Sequence, residues 1–373
     1  MRQEPTPFRL NIPEAALEDL RGRLARTRLP DEPPLEPWST GTSRAYVEQL
    51  VAYWESGFDW RAQEASLNRF RQFTVPLGGI ELHFIHEPGR GPNPIPLLLS
   101  HGWPGSIVEF RRLIPLLTEC FTVVAPSLPG YTLSFRPGQK RFAVEEIADL
   151  FAELMSDVLG YRRFAAQGGD WGSLATEQLA RSHAGSVVGI HLTDVPFWHL
   201  FQPPKDPSGD EKKFLERNEK WMKKEGAYAL IQGTRPGSLA QGLQDSPTGL
   251  ASWIVDKFHA WSDCGGDLER SFAKDDLLTN IMLYWISGAI GSSFWPYYAR
   301  QHEGWPLPAE RRVEVPTAYL SFPKDILHPP RRLAERAFNI QRWTVSPSGG
   351  HFAALEEPER LVEDVRAFFR PLR

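Results

Sequence analysis

The stretch AAQGGDWGSLATEQLARSH, residues 165–183, decides how the chain is read. It has the layout of a tight turn between a buried strand and a helix. Gly168, Gly169 and Gly172 surround one reactive side chain, Asp170, and small flanking residues are what a sharp strand-to-helix bend demands. Such a bend lifts its central side chain above the sheet as a nucleophile, and the usual occupant is serine. Glycine and aspartate also form ordinary turns. The position of this turn, after the apolar RRFAAQGG (162–169) and before a helical run, favours the nucleophile reading.

Outward from this turn, strand and helix patterns alternate. IPLLLSH (95–101) is a short continuous apolar run of the kind buried on both sheet faces, followed by the helical SIVEFRRLIPLL (106–117). FTVVAPS (121–127) reads as a strand. VEEIADLFAELMSDVL (144–159) then sets Ile147, Leu150, Leu154 and Val158 on one helical face. VVGIHLTD (187–194), VPTAYLSFP (315–323) and IQRWTVSP (340–347) supply further strands, and PRRLAERAF (330–338) and RLVEDVRAFFR (360–370) further helices. The pattern predicts an α/β fold, a mostly parallel sheet flanked by helices, with ligands at the carboxyl ends of the strands. FTVPLGG and IELHFIHE (73–87) read as two strands around a Gly-Gly turn. Between about 196 and 305 the alternation stops and helical runs punctuated by proline take over, as in an inserted cap. Residues 1–72 read as helical, without strands of their own. The expected organisation is an amino-terminal helical extension (1–72), a first core part (73–195), a helical cap (196–305) and a second core part (306–373).

A nucleophile at residue 170 calls for a histidine late in the chain. His351 lies in the glycine-flanked SPSGGHFAALEEPERL, between the last strand and the last helix, and the order nucleophile, acid, histidine fits. Asp325, in YLSFPKDILHPP, is the acid expected to orient the ring; Asp194, in HLTDVP, competes for that role. In LLLSHGWPGS the Trp103 amide, with that of Trp171 after the nucleophile, could form an oxyanion hole. His101 in the same turn reads as structural.

Composition narrows the function. The 373 residues carry a formal net charge of −4, with 41% hydrophobic and 24% charged residues, so nothing favours nucleic acid or anionic membrane and a small neutral partner fits better. Cys120 and Cys264 are too few for a disulfide framework and lack metal-ligand spacing, so no metal or cofactor is expected. The amino terminus has no secretory pattern and no apolar run approaches the ~20 residues that span a bilayer. A soluble, cytoplasmic protein is expected. The 33 prolines and 13 tryptophans are high counts; tryptophan suits both an apolar pocket and a large core.

The residues HGWPGS, PGYTLS, GGDWGS, FPKDILHPP and GGHFAALEEPE resemble those of epoxide hydrolases of the α/β-hydrolase fold, in particular the microsomal-type branch with a helical amino-terminal extension. PFRLNIPEAALEDLRGRLARTRLP and YWESGFDWR extend the likeness over nearly the whole chain. The membrane-anchored members carry a hydrophobic amino-terminal helix that this sequence lacks, so membrane association is not carried over. The resemblance implies conversion of an epoxide and water to a vicinal diol. It also implies two cap tyrosines that activate the epoxide oxygen. Tyr228 matches the first; Tyr297 matches the second, with Tyr298 adjacent. Dimers occur in the family, so a homodimer is an open expectation.

Aspartate suits that chemistry. An aspartyl ester formed at an alkyl carbon can be opened by water attacking the enzyme's own carboxyl carbon, and a carboxylate with a reference pKa of about 3.9 needs no base for its first step. His351 is then free for the second. Two rivals remain open here: a haloalkane dehalogenase, which also uses such an aspartate followed by tryptophan, and a catalytically silent member of the fold that binds a ligand. VPFWHLFQPP (195–204) suggests aryl or alkyl epoxides or, equally, packing between cap and core.

Overall fold

The computed structural model describes residues 4–194, 203–304 and 312–372. Most of VPFWHLFQPP and both ends of the expected cap therefore lie outside the described residues. The strands are β1 (Thr6–Phe8), β2 (Gln72–Leu77), β3 (Ile80–Glu87), β4 (Ile95–Ser100), β5 (Phe121–Pro126), β6 (Phe164–Gly168), β7 (Val187–Leu192), β8 (Val313–Ser321) and β9 (Phe338–Val345). They form one sheet in the order β1-β2-β3-β5-β4-β6-β7-β8-β9. The pairs from β5 to β9 are parallel and those from β1 to β5 antiparallel. Gly78 and Gly79, both at positive φ, make the tight turn between β2 and β3.

The parallel strands β4, β5, β6 and β7 are mostly buried on both faces, which is why they appear as largely apolar runs, whereas β9 at the sheet edge is mostly half-buried or exposed. The face predicted on 144–159 is buried at all four positions, in a helix Val144–Glu153 that continues as a wider turn through Val158. SIVEFRRLIPLL is not one helix. A 3₁₀ turn, Ile107–Arg111, is followed by a new helix at Leu113, whose first turn accommodates Pro115 because amides there lack intrahelical acceptors anyway.

The amino-terminal segment departs from its reading in one respect. Thr6–Phe8 pairs with β2, adding an edge strand that holds Pro7 where a proline does no harm. Its helices Glu14–Leu24, Arg44–Ser56 and Trp60–Leu67 bury Leu17, Leu20, Leu24, Val47, Leu50 and Trp54. Each such aliphatic side chain contributes about 1.5–3 kcal/mol by leaving water. This segment also reaches the helices that follow β7: Tyr53 Oη and Gln63 Nε2 both donate to Asp275, at 2.8 and 3.0 Å, and Thr42 Oγ1 donates to the Ser252 carbonyl at 2.6 Å. Those inserted helices run from Gly209 to Glu303. Among the described residues no single helix is long and apolar enough to cross a membrane.

Candidate active site

Ser100 of β4 pairs with Gly168 of β6, so the turns that follow the two strands emerge side by side. Here the strand order reverses, since the chain passes from β4 to β5 on one flank and then to β6 on the other. Open α/β sheets bind ligands at this kind of crevice.

Asp170 closes β6 and precedes the helix Trp171–Ser182, with φ 52° and ψ −129°. A non-glycine residue in that region costs about 1–3 kcal/mol and persists only where its surroundings impose it. Here they do. A Cβ on Gly168 would lie 2.2 Å from the Gly172 carbonyl oxygen, and one on Gly172 would lie 2.0 Å from the Ser100 carbonyl oxygen. Glycine at both positions lets the helix start directly against the strand ends. Ser173 Oγ donates to the Gly168 carbonyl at 2.9 Å and fastens the bend.

The Asp170 side chain is buried, 6% exposed. The Trp103 amide donates to its Oδ1 at 2.7 Å. The Trp171 amide is the first of its helix, where an amide has no intrahelical acceptor. His101 is structural: its ring contacts the Gly102 carbonyl at 3.1 Å through Nδ1, and Nε2 accepts the Leu128 amide at 3.0 Å. Burial lowers its pKa to about 4, so the ring is neutral.

His351 approaches Asp170 from the loop after β9. Gly349 takes φ 98°, and a Cβ on Gly350 would fall 2.6 Å from the Trp261 carbonyl oxygen, so this loop too runs close against backbone. The His351 amide donates to that Trp261 carbonyl at 2.8 Å, tying the loop to the inserted helix Pro247–Trp261. His351 Nδ1 lies 2.7 Å from Asp325 Oδ1, and Nε2 lies 3.5 Å from Asp170 Oδ2. Asp194 is buried at the end of β7, but the imidazole turns to Asp325. Burial alone would lower the His351 pKa; the Asp325 charge and the hydrogen bonds with Asp170 and Asp325 outweigh it and hold the ring well above the ordinary imidazole range.

Opposite stand Tyr228 and Tyr297 from the inserted helices Ala227–Thr234 and Trp295–Glu303, both buried, with ring centroids 5.8 Å apart at 77°. Tyr228 stacks on the Trp103 indole at 5.4 Å, and Tyr297 meets the Trp171 indole edge-on at 4.8 Å. The Tyr297 hydroxyl is buried without a hydrogen-bond partner. Burial, reinforced by the charge on Asp170, raises both phenol pKa values well above the usual range, so both stay protonated as donors. Tyr298 instead stacks on Trp295 and packs at a tilt against His302, and it does not line the chamber that Tyr297 shares with Asp170.

Two chambers meet at Asp170. One, of about 240 Å³, is mainly apolar and lined by Trp171, Leu174, Trp221, Tyr228, Leu230 and Tyr297, with Arg300 at its wall. The other, of about 30 Å³, is bounded by Ser100, Trp103, Glu109, Gln167 and His351. Glu109 and Trp261 were not singled out by sequence; Trp261 packs edge-on to His351 at 5.2 Å. Such a site brings together a buried carboxylate, a backbone amide on one of its oxygens, an imidazole paired with a second carboxylate, and two protonated phenols. Among the described residues no group of His, Cys, Asp and Glu could hold a metal ion.

Residues 5–110 match the family model for the epoxide hydrolase N terminus, and residues 95–231 that for the alpha/beta hydrolase fold. The chain is 35% identical to epoxide hydrolase 1 of Oryctolagus cuniculus, an alignment covering 97% of this chain and 88% of that protein. Among solved structures, the juvenile hormone epoxide hydrolase of the silkworm Bombyx mori superposes with a TM-score of 0.89 at 29% identity, covering 100% of this chain and 95% of that one. The Aspergillus niger epoxide hydrolase superposes with a TM-score of 0.85 at 31% identity, covering 99% and 97%.

Proposed function

Because the chain belongs to the epoxide hydrolase family, we propose that it opens its epoxide through a covalent ester on the Asp170 carboxylate and releases a vicinal diol. The reading is carried by one arrangement: Asp170 Oδ1 is occupied by the Trp103 amide at 2.7 Å, which leaves Oδ2 to face His351 Nε2 at 3.5 Å, with two protonated phenols across the larger chamber.

In the first step Oδ2 attacks one ring carbon from the face opposite the breaking carbon–oxygen bond. The departing oxygen takes a proton from Tyr228 or Tyr297, while the other phenol hydrogen-bonds to it. A hydroxyalkyl ester results. In the second step His351, held by Asp325, removes a proton from water as that water attacks the Asp170 carboxyl carbon. Negative charge grows on Oδ1, where the Trp103 amide already donates and the Trp171 amide is the expected second donor. Collapse breaks the bond between the carboxyl carbon and Oδ2, whose oxygen leaves with the diol after taking the proton from His351. The phenolate left by the first step takes its proton back from His351, which frees the ring to act as base, and the remaining water proton returns to His351. The dehalogenase alternative needs only N–H donors for a halide, whereas two protonated phenols beside Asp170 suit a departing alkoxide that must take up a proton.

Replacing His351 with glutamine should permit alkylation and block turnover. Mass spectrometry of that protein after exposure to styrene oxide is expected to find the mass of one epoxide on the peptide bearing Asp170. An unmodified peptide would count decisively against the scheme.

A further inference from the structure

Lys257, on the inserted helix Pro247–Trp261, is only 5% exposed. Lysine is almost never buried to that degree unless it is paired. Its partner is the carboxylate of the preceding residue: Nζ lies 2.6 Å from Asp256 Oδ2, and the Asp256 side chain stays 24% exposed. The acidic end of the pair thus reaches solvent, while the ammonium lies over two rings, 5.2 Å from the centroid of Tyr228 and 5.7 Å from that of Trp261. Lys257 lines neither chamber, so whatever it does for the reaction it does through those rings. Trp103, Trp261 and Tyr297 enclose the Tyr228 ring at 5.4, 5.0 and 5.8 Å, which keeps the contact from being screened by solvent.

A cation within about 6 Å of a ring centroid is drawn to the π face, and more strongly where water is excluded. The attraction rises when a phenol becomes a phenolate, because negative charge then spreads from the oxygen into the ring and two opposite charges face each other in a medium of low dielectric. Tyr228 needs such help. The charges of Asp170, Asp194 and Glu225 all disfavour loss of its proton. Tyr297 is bordered by the rings of Trp103, Trp171 and Tyr228, and the charge on Asp170 disfavours its ionisation too.

We infer that Lys257 is a positioning residue for Tyr228: its ammonium stabilises the phenolate formed as Tyr228 gives its proton to the departing oxygen, and so makes Tyr228 the donor and Tyr297 the hydrogen-bonding partner. The inference rests on the covalent mechanism proposed above. The Tyr228 O–H bond breaks as an O–H bond forms on the alkoxide, and the electron pair left on the phenol oxygen is shared with the ring under Lys257. The charge that Lys257 stabilises is absent from the resting phenol, so the contact speeds alkylation instead of merely tightening the ground state.

The test is a comparison of alkylation rates in the His351→Gln protein, where ester accumulates, with styrene oxide quenched at intervals and the Asp170 peptide read by mass spectrometry. Lys257→Met, similar in length and without charge, is expected to slow alkylation by about 10- to 10²-fold. Added to Tyr297→Phe it should slow alkylation by the same factor, and added to Tyr228→Phe by no more than about threefold, because the ring that it acts through can no longer ionise. A lysine that only packs its helix would slow all three backgrounds alike. That outcome, slowing in none of them, or an effect that vanishes with Tyr297→Phe instead, overturns the inference. Should Lys257→Met not be recovered folded, Lys257→Gln, neutral but still able to donate to Asp256, carries the same comparison with the same criteria. Absence of ester in the His351→Gln protein itself would overturn the covalent mechanism, whereas ester forming at one rate with and without Lys257 overturns this inference and leaves that mechanism standing.

Discussion

Gly102→Ala tests how tightly the Asp170 carboxylate, the nucleophile of the proposed mechanism, is held. A Cβ at residue 102 would lie 2.2 Å from Asp170 Oδ1, 2.3 Å from its Cβ and 2.6 Å from its carboxyl carbon. Comfortable carbon contacts begin near 3.5 Å, so the carboxylate or the turn must yield by about 1 Å. Gly102 is not among the residues at positive φ, so alanine adds no backbone strain of its own and the conflict is with one side chain. That side chain has little room to retreat, because the Trp103 amide holds Oδ1 at 2.7 Å and His351 lies 3.5 Å from Oδ2. Overpacking of this kind costs about 1–3 kcal/mol, which a domain of this size survives. A 1 Å displacement of a reacting group costs about 10²-fold in rate. We expect Gly102→Ala to fold with a lowered Tm, to form diol about 10²-fold more slowly, and to accumulate no ester because alkylation is the impaired step. Gly172→Ala is the contrasting case. Its Cβ would lie 2.0 Å from the Ser100 and 2.7 Å from the His101 carbonyl oxygen, both backbone, and it should fail to give soluble folded protein. Thermal melts and diol chromatography read both outcomes; a Gly102→Ala enzyme within threefold of the parent rate would refute the reasoning.

Tyr228→Phe and Tyr297→Phe should each slow alkylation by about 10- to 10²-fold, the double variant far more, while Tyr298→Phe stays within about twofold. Stopped-flow tryptophan fluorescence is the direct assay, since Trp103 and Trp171 pack against these phenols; equal effects at 297 and 298 would contradict the assignment. Away from the site, buried Asp364 accepts hydrogen bonds from Arg342 and Thr344 and lies 3.0 Å from His191 Nε2. Burial raises its pKa, but the bonds to His191, Arg342 and Thr344 prevail and hold it well below the usual carboxylate range. Its contribution is therefore fully present above the unfolded carboxylate value and is lost as pH falls through the depressed folded one. Asp364→Asn should cost about 2 kcal/mol at pH 7, less than a fully buried pair because Arg342 is partly exposed. Urea melts should show the gap to the parent narrowing below pH 4; a gap independent of pH would exclude this account.

What could be read from sequence is what local physics dictates. Strands buried on both faces must be apolar throughout, and the bend at Asp170 must be flanked by glycine, so both are written in consecutive residues. His351 and Asp325 follow because loops at the carboxyl end of one parallel sheet point to one place. The short strand Thr6–Phe8 was not legible, since three residues with a proline carry no alternation and owe their conformation to β2. Nor was Tyr297 separable from Tyr298, for neighbours on a helix point about 100° apart and only the packed helix fixes which one faces inward. Glu109 reads as the polar side of an amphipathic helix. It faces a chamber only because that helix is a single 3₁₀ turn laid over strand ends contributed by residues far away in the chain.

On the proposed mechanism, aspartate in place of serine at the bend also sets the order of events. A serine is neutral before attack and needs its histidine as a base at once. A carboxylate attacks unaided, and while it is charged it holds His351 protonated, through the hydrogen bond at Nε2 and through its charge. Forming the ester removes the charge on Asp170. The ring is then left with Asp325 alone against a burial that favours its neutral form. His351 therefore passes its proton to the phenolate left by alkylation and becomes a base when there is an ester to open, and it regains a proton from the spent water once the carboxylate returns. The strained backbone at residue 170 serves the same end, because it presents one oxygen to the apolar chamber and to His351 while the other stays bound to the Trp103 amide through both steps.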